Sequence, residues 1–156
     1  MRLRIAAALA LTTASSLQAQ TTATVPTVDY STATPIDGNW VYVTTAGGSE
    51  ATFANAAAQP QLIVSCARAA RQVTLSKPAA GAAAFISVWT TAQTRNLPSS
   101  YNPATGKLSA TLAAFDPFLD AIAFSRGRVE FSVSGQPALV LPSWAEAARV
   151  IEDCRV

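Results

Sequence analysis

"RVEFSVS", residues 128–134, decides the fold class. Val129, Phe131 and Val133 alternate with Glu130, Ser132 and Ser134, the period-two pattern of a strand with one face on a core and one on solvent. The alternation predicts the three apolar side chains inward and the three polar ones outward. The same period recurs on either side of it. "NWVYVT" (39–44) sets Trp40 and Tyr42 on one face and Val41 and Val43 on the other. "EATFAN" (50–55) follows the turn signal Gly47-Gly48, so these two stretches read as a hairpin. "QLIVSCA" (61–67) groups Leu62, Val64 and Cys66, and "RQVTLS" (71–76) groups Val73 and Leu75. "AFISVWT" (84–90) is apolar on both faces, and "KLSATLA" (107–113) follows the hairpin signal "YNPATG". The intervening "TAQTRNLPSSYNPATG" (91–106) reads as one long loop.

Two helical stretches interrupt the strands. "DPFLDAIAFS" (116–125) opens with Asp116 as N-cap and a proline at the first helical position, and Phe118, Leu119, Ile122 and Ala123 form its apolar stripe. After Pro142, Ser143 and Glu146 have the spacing of a capping box. Ala147, Val150, Ile151 and Cys154 then fall on one helical face.

That last helix brings in the two cysteines of the chain. Cys154 lies on the buried stripe, and Cys66 shares a strand face with Leu62 and Val64. Both are expected to point into the core, and two cysteines allow a single intramolecular pairing. A Cys66–Cys154 disulfide pinning the C-terminal helix to the sheet follows, provided the chain reaches a compartment where thiols oxidise.

The opening residues supply that condition. "MRLRIAAALALTTASSLQAQ" has a basic start, an apolar run from Ile5 to Leu11 and a small-residue stretch reaching Ala19, the layout of a secretory signal peptide. Cleavage is expected after Ala19, with Ala14 and Ala23 as alternatives. The apolar run is short of the roughly 20 residues of a spanning helix. Residues 20–36, rich in Thr and Pro, read as a disordered tether rather than a tail docked across the domain. Residues 37–156 read as a single domain. Setting Arg2 and Arg4 aside leaves nine basic against nine acidic residues. Such a chain has no strong field to draw in nucleic acid or an anionic membrane.

Chemistry is sparse. Without a histidine, the usual catalytic triad and most zinc sites lack their commonest component. Lys77 and Lys107, the only lysines, each lie beside an expected turn and read as solvated, which argues against a Ser–Lys hydrolase. Asp116 and Asp120 are accounted for by the helix start. No residue set for a metal or a cofactor emerges. Arg126 and Arg128 beside Gly127, with Arg95 and Tyr101 in the long loop, are the candidates for contact with a partner. Trp40, Tyr42, Trp89, Tyr101 and Trp144 are candidates for a sugar-stacking platform, although aromatics at alternating strand positions more often belong to a core.

"LIVSC" (62–66), "ISVW" (86–89), "FSVSG" (131–135) and the terminal Cys154-Arg155 resemble features of small exported bacterial proteins of the invasion-associated locus B type and of an accessory protein of type VI secretion clusters. The resemblance spans residues 60–156. It implies a β-rich domain with one disulfide and an accessory or binding role rather than an enzyme, and it carries over no ligand-contacting residue. The expectation is thus a mainly β, antiparallel sandwich or partly closed barrel with two short helices. Its expected role is that of a periplasmic or secreted accessory protein bound to an envelope or secreted protein. Inhibition of an envelope hydrolase such as a muramidase, with the 91–106 loop entering a cleft, and glycan binding are the alternatives.

Overall fold

The computed structural model describes residues 29–156. The expected signal peptide, 1–19, and the first part of the expected tether lie outside the described residues. Ten strands and two helices follow: β1 (Gly38–Thr45), β2 (Gly48–Asn55), β3 (Pro60–Ala67), β4 (Gln72–Pro78), β5 (Phe85–Trp89), β6 (Thr94–Pro98), β7 (Ser100–Asn102), β8 (Lys107–Ala113), α1 (Pro117–Ala123), β9 (Arg128–Ser132), β10 (Leu139–Pro142) and α2 (Ala145–Asp153). The strands form two antiparallel sheets, β1-β2-β3-β4-β8-β7 and β10-β9-β5-β6, which do not close into a barrel. The sandwich alternative therefore holds over the barrel.

The period-two faces become the core. Cross-strand pairs Trp40–Phe53, Phe53–Leu62, Val64–Leu75 and Leu75–Ala110 carry the inner face of the large sheet. Val88–Phe131 and Val129–Leu141 carry that of the small one. Each fully buried side chain of this kind contributes about 1.5–3 kcal/mol by leaving water. Trp40 meets Phe53 edge-on at 5.5 Å, while Val41 and Val43 face solvent, as their alternation requires.

On the large sheet α2 packs on β1, β2 and β3, and α1 packs on α2. Ala147, Val150, Ile151 and Cys154 are buried along the helix face that the sequence spacing predicts. Cys66 and Cys154 are joined, their Cα atoms 5.5 Å apart, within the ordinary span of a disulfide. Gly48, opposite the same corner, has to be glycine, because a Cβ there would overlap the Cys66 carbonyl.

Four expectations need correction. Half of the 91–106 stretch is strand rather than loop: β6 pairs with β5 in the small sheet, the chain changes sheets at Ser99, and β7 pairs with β8 in the large one. The capping box at Ser143 and Glu146 does not form. Pro142 is still paired with Arg128, and the Ser143 N–H donates to the Gly127 carbonyl. The backbone therefore stays extended until Trp144, which is the N-cap and makes no side-chain capping bond. The part of the expected tether that is described, 29–36, lies against the small sheet. The Tyr30 ring meets Trp89 edge-on at 6.2 Å, the Arg128 guanidinium donates to the Ala33 carbonyl, and the Ile36 N–H donates to the Val140 carbonyl at 2.9 Å. Lys77, expected in solvent, is the fourth, and it belongs to the site.

Candidate functional site

β4 alternates Val73, Leu75 and Lys77 on its inner face, so the lysine extends the row of core residues at the strand's end. It pairs with Leu108 on β8, which pairs in turn with Tyr101 on β7. Only 6% of Lys77 is exposed. Its Nζ donates to Gln136 Oε1 at 3.0 Å and to the Pro78 carbonyl at 3.4 Å, both neutral acceptors. Burial pulls its pKa below the ordinary lysine value, because the ammonium gives up hydration. The lysine forms one wall of an open cavity of about 530 Å³ at the end of the sandwich away from the disulfide. Ile36, Gln61, Gly106, Pro137 and Leu139 contribute to the other walls. The size is that of a small-molecule site.

A second buried charge lies under residues 29–36. Glu130 faces away from the core, as its parity predicts, yet it is only 1% exposed because the N-terminal segment covers it. Its Oε1 has no hydrogen-bond partner among the described residues. Burial raises its pKa above the ordinary glutamate value, against smaller opposing effects from the Ser132 and Tyr30 hydroxyls and the Trp89 backbone. Tyr30 is shifted upward as well, first by burial and then by the nearby Glu130.

A third feature is the free edge of β1. This strand pairs with β2 without interruption from Gly38 to Thr45, and no strand pairs with its other edge among the described residues. By contrast, the apolar slot between Trp40, Ile122, Leu141 and Trp144 has about 20 Å³ of free space, enough for a single water.

The partner-contact candidates are dispersed over separate elements. Arg95, on β6, pairs with Asp116 at 2.8 Å and lies over the Phe118 ring. Tyr101 is half-buried on β7 and packs against the core. Arg126 is exposed, with its backbone N–H on Thr91 Oγ1, whereas Arg128 is held by the 29–36 segment. Of the five aromatics considered for a sugar platform, Trp144 alone is largely exposed. Trp40 is in the core, and Tyr42 lies beneath the Arg149 guanidinium with its hydroxyl donating to Asp153 at 2.6 Å. Among the described residues no three His, Cys, Asp or Glu side chains gather as a metal site would require. Sequence reasoning missed Lys77 and the burial of Glu130. The signal for Lys77 was its shared parity with Val73 and Leu75.

No protein family matches the chain, and no curated protein or solved structure is significantly similar to it.

Proposed function

We propose that this chain is an exported, non-catalytic accessory protein that binds another protein, and that β1 is the edge it offers. The observation that carries the reading is the character of that edge. Natural edge strands are guarded by lysine, proline, bulges or shortness. β1 is eight residues long, uncharged and unbulged, and it turns Val41 and Val43 outward at 58% and 46% exposure. An extended segment of a partner would continue the large sheet by main-chain hydrogen bonds, its alternate apolar side chains beside Val41 and Val43. The signal-like N-terminus, the disulfide and the resemblance to exported accessory proteins support the compartment and the role.

The test uses the oxidised chain, immobilised and exposed to envelope extract from its source, beside the Val43→Lys variant. Val43 is exposed, so the variant should melt with the wild type. One stoichiometric partner is expected on the wild type and lost from the variant, with slowed hydrogen exchange at the β1 amides in the complex. A partner retained equally by both, no partner at all, or β1 amides already slow in the free chain would each overturn the assignment. The last result would mean that another part of the chain already covers the edge.

A further inference from the structure

We infer that the cavity at the Lys77 end of the sandwich is a binding site for an organic carboxylate. The inference is independent of the β1 reading. A buried ammonium costs several kcal/mol of lost hydration unless an opposite charge compensates it. The ion pairs among the described residues, Arg95–Asp116, Arg155–Asp120 and Arg155–Glu152, leave Lys77 without a carboxylate. An ammonium has three protons to donate, and the two neutral acceptors take two of them. Gln136 turns its oxygen to Lys77, so its amide NH₂ points elsewhere and makes no hydrogen bond among the described residues. A cation and an amide donor, both beside an open cavity, match the two oxygens of a carboxylate.

The remaining walls narrow the ligand further. Ile36, Pro78, Ala79, Ala80, Pro137 and Leu139 are apolar, which suits a hydrocarbon substituent. One positive charge balances a monoanion, and among the described residues no arginine fork lines the cavity as recognition of a phosphate dianion favours. The carboxylate could belong to a free acid or to a peptide C-terminus, and the experiment separates the two. Because Lys77 must be protonated to bind, affinity should fall as pH rises through its lowered pKa.

Hexanoate and a hexapeptide ending in leucine with a free C-terminus are titrated into the ¹⁵N-labelled oxidised chain, beside hexanamide and the C-terminally amidated peptide. Saturable shifts are expected at Gly106, Gln136 and Ala138 with one or both acids and not with the neutral analogues. Binding by hexanoate alone identifies a free acid, and binding by the peptide acid alone identifies a chain terminus. Lys77→Met should weaken binding at least about tenfold, while Lys77→Arg should retain it in part. Methionine keeps the volume and removes a buried charge, so the Met variant should fold. A circular dichroism melt checks that it does. No saturable shift with either acid up to about 10 mM, equal binding of the neutral analogues, or undiminished binding by Lys77→Met would overturn the site.

Discussion

Glu130 shows how one covering segment changes the chemistry of a residue. Its carboxylate faces away from the sandwich core, where a glutamate ordinarily stays hydrated, but Tyr30 and the rest of 29–36 close over it. The folded protein therefore holds this proton more tightly than the unfolded chain does, the raised pKa being caused first by burial. Between the ordinary and the raised value the native state binds more protons, so stability falls as pH rises through that window and stays lower above it. Glu130→Gln removes this dependence. Urea titrations from pH 4 to 8 should find the variant close to wild type at the acid end and about 1–2 kcal/mol more stable at pH 8. Parallel curves across the range would rule out the buried carboxylate as the cause. Lys77 has the opposite sign: its depressed pKa adds stability as pH rises from the lowered value toward that of an ordinary lysine. The orientation of both side chains follows from strand parity in the sequence. Their burial does not, because it depends on a segment and loops brought over them from distant parts of the chain.

The elements that sequence reading finds are those whose own pattern suffices. β1 to β4 and β8 alternate between a buried and a wetter face, β9 alternates apolar and polar residues in sequence although Glu130 is covered, and α1 carries its own start signal. Asp116 accepts from the Phe118 N–H at 2.9 Å and holds Arg95, joining α1 to the edge of the small sheet. Asp116→Ala should cost about 1 kcal/mol from the lost cap, with little more from the half-exposed ion pair. Asp116→Asn keeps the cap and should lose only a few tenths. Thermal melts of the two variants check the order, and an asparagine variant as damaged as the alanine one would assign the effect to the charge instead. The elements that were missed lack such a pattern. β6 buries only Leu97 of its five residues, and Pro98 ends it. β7 has three residues and exists through its pairing with β8. β10, "LVLP", buries Leu139, Val140 and Leu141 in succession, so no alternation marks it. Val140 is the outward residue of the three, and Ile36 is bonded to its carbonyl.

At the scale of the molecule the two ends of the sandwich differ in how they are closed. At one end α2 and the disulfide seal the β1–β3 portion of the large sheet. At the other, Lys77 near the end of β4 and the turns around Gly106 and Gln136 leave the cavity open. The same strands, β3 and β4, run from one end to the other, so the cross-link holds the frame on which the cavity is built without touching its walls. Reduction should act on these parts unequally. The Cys66–Cys154 bond closes a loop of 88 residues, which in the chain-entropy picture stabilises the fold by about 4–5 kcal/mol. Urea titration of oxidised against reduced and alkylated protein should show most of that difference. Hydrogen exchange in the reduced form should accelerate first in α2 and β1, whose packing the bond secures, and last along the β4–β8 pair. A loss under about 1 kcal/mol would mean that Val150, Ile151 and the apolar contacts of α2 hold the helix unaided. Uniform acceleration would instead make the sandwich one cooperative unit, and the cavity would then depend on the oxidised state as fully as the helix does.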